Sequence, residues 1–139
     1  MDNFTDGYNC CQSILAAYSN IHGVDRKTAL KLASGMGGGV GHSGEVCGFV
    51  NAACMLLGLK YGTDVPDSKL AVFPICLEFC DEFMAKYGSV NCKDIIKRDI
   101  RTMEATIKAK EEGVFKEICE ECGRFAAELL ETKYGILNG

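Results

Sequence analysis

Nine cysteines fall in 139 residues, and where they stand limits the chemistry open to them. Cys10, Cys47 and Cys92 sit where the local sequence opens a helix. A thiol there meets unpaired N–H groups and the positive end of the helix dipole. That position is expected to lower its pKa and favour the thiolate, the form that attacks disulfides and binds metals. Cys119-Glu120-Glu121-Cys122 is a CxxC, but it lies inside a helical pattern, without the βαβ frame of a thioredoxin. No histidine follows Cys122, so a c-type haem attachment motif is missing. A conventional zinc finger needs a second such knuckle nearby.

The remaining cysteines read as packing. Cys76 and Cys80 are one helical turn apart among Phe73, Leu77, Phe79 and Phe83, and Cys54 follows Ala52-Ala53. Buried free cysteine behaves as a small hydrophobe. Cys11 points about 100° away from Cys10 on a helix. This sorting leaves Cys10, Cys47, Cys92 and one of Cys119 or Cys122. Dozens of residues separate them, so spacing alone does not show that they meet.

Gly35 to Gly44 holds six glycines in ten residues. Each costs about 1 kcal/mol relative to alanine in a helix, so the stretch is a loop whose backbone can approach something closely. No Gly-Lys-Ser/Thr follows, which excludes a phosphate-binding P-loop. His42 is near Cys47 in sequence and reads as a loop-surface histidine. Glu111-Glu112 and Glu120-Glu121 read as solvated helix faces rather than an acid–base pair.

The elements that must position these residues are helices. Apolar spacing predicts a first helix from about Cys10 to His22, capped by Asn9 and ended by Gly23. A second runs from about Arg26 to Met36 after Asp25, with Leu30 and Leu32 directed inward. A third starts near Ser43 to Val46 and ends near Tyr61; two of its faces lack charge, so it should be central. A fourth opens at Asp67 or Ser68, is broken or restarted at Pro74, and ends at Gly88. Leu77, Cys80, Met84 and Tyr87 share its expected inner face. Asn91 can cap a short helix from Cys92 to about Lys97. The stretch from about Thr102 to Tyr134 reads as helical, with a weak point at Gly113 and a stripe of Val114, Ile118, Phe125 and Leu129. The expected fold is all-α: one domain over residues 1–139, a compact bundle of five to six helices with a glycine-rich loop at the cysteine site.

Composition narrows the setting. A net charge of −4 and a pI of about 5.2 argue against a nucleic-acid partner, which would want a basic stripe. The longest apolar stretch, Val46 to Leu59, is shorter than a membrane helix needs, so a membrane-embedded chain is not expected. The N-terminal residues lack the pattern of a signal peptide. The expected compartment is therefore cytoplasmic, where stable disulfides are rare. The rather apolar helices are compatible with a homodimer.

Several segments, in order along nearly the whole chain, resemble the C_GCAxxG_C_C family of redox-active proteins. Gly7-Tyr8-Asn9-Cys10-Cys11-Gln12 resembles the family's opening GYNCxQ, and Ala33 to Gly44 its glycine-rich segment. Cys47-Gly48-Phe49 lies where CGAxxG belongs, and Leu57 to Gly62 resembles GLKYG. Gly88 to Ile95 resembles the third cysteine segment, and Cys119 matches the last. The second motif departs from the pattern: Phe49 stands for alanine and Ala52 for glycine.

The resemblance implies redox activity, with Cys10, Cys47, Cys92 and Cys119 as the functional set. Family relatives that carry c-type haem also hold an iron–sulfur cluster; haem is not implied here. The leading expectation is four thiolates ligating an iron–sulfur cluster, with N–H groups of Gly37, Gly38, Gly39 and Gly41 available to its sulfurs. Zinc in the same four thiolates is the non-redox version. The alternative is thiol–disulfide exchange, with Cys47 as nucleophile, Cys10 as a second redox thiol and His42 as base. A third reading is a non-catalytic helical interaction module. The redox partner is not named by any residue.

Overall fold

The computed structural model describes residues 1–139; it is helical, with no β-strand. A short α1 (Asp2–Thr5) leads into α2 (Cys10–Tyr18). Asn9 opens α2 with a capping box: its side chain accepts the Gln12 N–H at 2.9 Å, and the Gln12 side chain accepts the Asn9 N–H at 3.0 Å. A 3₁₀ turn, Ser19–His22, finishes this helix, and Gly23 stops it at φ 90°.

α3 (Arg26–Leu32) starts on Asp25, whose carboxylate accepts the Thr28 N–H at 3.1 Å. It ends four residues earlier than Met36. Leu32 is 66% exposed and Leu30 only half-buried; Ala29 and Ala33 take the inner positions instead. The small residues let α3 lie close against α2, its main neighbour. α4 (Gly48–Tyr61) is central as expected, packing against α2, α5 and α8. Phe49, Val50, Ala52, Ala53, Leu56 and Leu57 are all buried along it.

α5 (Lys69–Tyr87) follows a 3₁₀ turn at Pro66–Ser68 and ends at Gly88, φ 79°. Pro74 lies inside the helix and neither breaks nor restarts it. The expected inner face is wrong in part. Leu77 is 62% and Met84 46% exposed, whereas Phe79 and Phe83 are fully buried. The aromatic side chains decide the orientation, because each buries more apolar area than Leu or Met can. Phe83 lies tilted against Tyr87 and Phe125, at 4.8 and 6.0 Å between ring centroids, and Phe79 against Tyr134 at 6.0 Å.

α6 (Cys92–Ile96) is one turn. α7 (Met103–Glu111) is capped by Thr102, whose hydroxyl accepts the Ala105 N–H at 3.1 Å. Gly113, at φ 78°, ends the run. A π-helical turn, Phe115–Cys119, then leads into α8 (Glu120–Thr132). This turn corrects the expected stripe. Val114 and Cys119 are buried five residues apart, followed by Cys122, Ala126 and Leu130, while Ile118, Phe125 and Leu129 are only half-buried. One extra residue per turn moves the inner face along by one position. There are thus eight α-helices rather than five or six, because α1 was not foreseen and the C-terminal stretch divides into α7 and α8.

Between α3 and α4 the backbone makes a left-handed turn. Gly38, Gly39, Val40, Gly41 and His42 all have φ between 58° and 70°. L-residues strongly disfavour this hand, which accounts for the density of glycine. The turn closes on itself through His42 N–H to Gly37 C=O and Glu45 N–H to Gly39 C=O, both 3.0 Å. It then meets the segment before α6 in a single antiparallel bridge, Val46 to Asn91. Cys47 N–H donates to Val90 C=O at 2.8 Å, and Cys92 N–H to Glu45 C=O at 2.7 Å. No helix is long and apolar enough to cross a membrane.

Candidate functional site: a convergent thiol centre

Four separate helix ends deliver five thiols to one place. Cys10 is the first residue of α2, Cys47 the N-cap of α4, and Cys92 the first residue of α6. Cys119 ends the π turn, and Cys122 follows in the first turn of α8. The Cys10 and Cys119 thiols face one another directly, and this contact is the largest influence on Cys10. A charge on Cys10 is felt at Cys47, Cys92 and Cys122. Cys122 also couples to Cys47 and Cys92. Cys119 and Cys122 therefore both belong to the neighbourhood.

Glycines allow this approach. A methyl at Gly48 would stand 2.8 Å from Cys10 Cβ and 2.9 Å from Cys11 N. One at Gly39 would overlap the Glu45 carbonyl and stand 2.8 Å from Cys92 Cβ. Gly38 offers its N–H to the Cys10 sulfur. Gly37 instead packs on Asn9, and Gly41 donates its N–H to the Gly35 carbonyl at 2.8 Å. The unusual Phe49 turns toward Phe4, at 5.7 Å between ring centroids, and toward Gly123 on α8.

The thiols do not have the low pKa values expected of helix N-termini. Contact with Cys119, and then burial, holds the Cys10 thiol well above its ordinary value. Burial does the same to Cys47, although the Phe49 and Val50 N–H groups pull the other way. Cys92 is pushed up to about 12 by burial and by Cys10, and Cys122 to about 11, chiefly by burial. Thiolates crowded together in a poorly solvated site repel one another, and a few N–H groups do not offset that. Cys11 is fully buried core beside them.

Tyr87 is the residue that sequence reasoning missed. Its hydroxyl is buried and has no hydrogen-bond partner. It faces Cys122, where it favours the thiolate, and it senses Cys47 and Glu121. The local sequence gave no signal for this, because Tyr87 shares a helical stripe with the exposed Leu77 and Met84. His42 is turned toward α7, with its Nδ1 3.2 Å from Thr106 Oγ1. No three His, Cys, Asp or Glu side chains are arranged to hold a metal ion as they stand.

An all-helical fold whose helix ends bring cysteines from across the chain to a single point defines a cysteine-centred helical protein. Residues 8–133 match the family described as "Putative redox-active protein (C_GCAxxG_C_C)". The chain belongs to that family. Neither the curated proteins nor the solved structures compared with it gave a match.

Proposed function

We propose that Cys10, Cys47, Cys92 and Cys119 are the thiolate ligands of an iron–sulfur centre used for electron transfer or redox sensing. The observation that carries this reading is the meeting of these four thiols, with Cys122, at helix ends contributed by widely separated segments. The donor set fits: thiolate sulfur is the soft ligand that such clusters take. The unpartnered Tyr87 hydroxyl fits as well, since a buried donor facing sulfur gains most when that sulfur carries negative charge. A cluster would supply one-electron chemistry. The protein's part is to hold the four thiolates together, direct the Gly38 N–H at Cys10, and set the Tyr87 O–H against Cys122 beside them. Zinc in the same thiolates is the second choice, and nothing here attaches haem. We assign the protein to a reducing, cytoplasmic setting with a redox partner.

Thiol–disulfide exchange is the second reading, favoured by the direct Cys10–Cys119 contact. In that case these two thiols form the pair, rather than Cys47 and Cys10 with His42 as base. Anaerobic purification with iron and acid-labile sulfide analysis separates the two. Stoichiometric iron and sulfide with broad visible absorption supports the cluster. Metal-free protein with a reversible Cys10–Cys119 disulfide overturns it in favour of exchange.

Tyr87→Phe gives an independent check. Removing an unpartnered buried hydroxyl should leave the metal-free fold as stable or up to about 1 kcal/mol more stable in urea. The same change should lower the reduction potential of the loaded protein, because the reduced, more negative state loses a donor.

A further inference from the structure

A second thiol cluster lies outside the family motif. Cys54 on α4 and Cys76 and Cys80 on α5 come together where the two helices pack. Cys54 faces Cys80 most strongly and Cys76 as well. Cys76 Sγ also reaches the Cys54 carbonyl at 3.9 Å. The sequence alone reads these three as space-filling thiols, but they are not sealed in hydrocarbon. All three are half-buried, whereas Cys47, Cys92, Cys119 and Cys122 are each 8% exposed or less. Cys54 follows Cys47 by seven residues on one helix, which puts it about 10 Å further along α4.

We infer that Cys54 and Cys80 form a reversible redox dithiol, distinct from the four-cysteine centre, that reduces an external low-molecular-weight disulfide. The two sulfurs are unequal, as such a pair requires. The contact with Cys54 holds the Cys80 thiol down to about 7, against burial and the nearby Asp81 carboxylate. Cys54 is raised in turn. Cys80 is therefore the attacking thiolate and Cys54 the resolving thiol.

The exchange balances in two steps. Cys80 thiolate attacks one sulfur of RSSR, forming Cys80–S–S–R and expelling RS⁻, which takes up a proton. Cys54, giving up its proton, then attacks the Cys80 sulfur of the mixed disulfide. The Cys54–Cys80 bond forms, and the second RS⁻ leaves as RSH. The two cysteines lose two electrons and RSSR gains them. Attack by Cys76, on the same helical turn, would only move the disulfide to Cys76; an external dithiol, itself oxidised to its disulfide, returns the pair to two thiols.

The test exposes purified full-length protein to oxidised glutathione, traps free thiols with an alkylating agent, and maps the peptides by mass spectrometry. The expected product is a Cys54–Cys80 link that returns to two free thiols on reduction. It should persist in Cys76→Ser and vanish in Cys54→Ser, which should accumulate the glutathione adduct on Cys80. The alkylation rate of Cys80 in the wild type should rise with a midpoint below that of an ordinary thiol. A glutathione adduct confined to Cys76, links only among Cys10, Cys119 and Cys122, or no change at all would each overturn the assignment. Iron content is read in parallel: loss of the Cys54–Cys80 link with iron retained sinks this inference alone, and the converse sinks only the proposed cluster.

Discussion

Cys10→Ser is expected to abolish the redox centre while leaving the helices in place. Among the nine cysteines, Cys10 touches the site most widely: it contacts Cys119 and its charge reaches Cys47, Cys92 and Cys122. Serine preserves the size and the first helical position, and the Asn9–Gln12 capping box that starts α2 does not involve the sulfur. Far-ultraviolet circular dichroism should therefore be unchanged. Iron retained per chain should fall at least about tenfold, since losing a ligand costs no less than losing an outer-shell partner. Cys47→Ser should behave in the same way. Cys76→Ser should keep its iron, because Cys76 belongs to the other cluster. Full iron loading in Cys10→Ser would remove the four-thiolate reading.

Gly39→Ala carries the largest expected stability loss. At φ 70° the added methyl meets the Glu45 carbonyl, the Glu45 nitrogen at 2.6 Å and Cys92 Cβ at 2.8 Å. Left-handed strain of about 1–2 kcal/mol adds to an overpacking cost of similar size, for about 3 kcal/mol in all. In a domain of this length that is a fall of about 10 °C in Tm. Gly41→Ala is the matched control. Its φ of 58° imposes the same strain, but the added methyl would meet nothing closer than 4.0 Å, so about 1–2 kcal/mol is expected. Equal losses in both variants would mean that the close packing of Gly39 on Cys92 matters little.

Helix existence was legible in the sequence because caps and stops are local chemistry. Asn9, Asp25, Gly23 and Gly88 each act within one turn, and each performs as read. The inner faces were less legible. Leu77 and Met84 obey the same period as Phe79 and Phe83, and only packing against α4 and α8 decides between two apolar stripes. The π turn at Phe115–Cys119 carries no residue type that announces it, so the buried stripe beyond Gly113 was read one position off. Cysteine grouping split along the same line. Motif order pointed to Cys10, Cys47, Cys92 and Cys119, whereas Cys54, Cys76 and Cys80 lie in ordinary helical spacing and meet only through the α4–α5 packing. The pKa directions at the main site were misjudged because a helix N-terminus is a local signal, while burial and neighbouring thiols are tertiary.

The site is built from segments more than a hundred residues apart, and that has a consequence for biosynthesis. Translation delivers Cys10 first and Cys119 only when nearly all the helices exist. At about 5–20 residues per second, the early thiols wait roughly 5–20 s for their partner. During that interval they stand open to oxidants and stray metals. The four thiols can therefore meet only after the segment carrying Cys119 has been made.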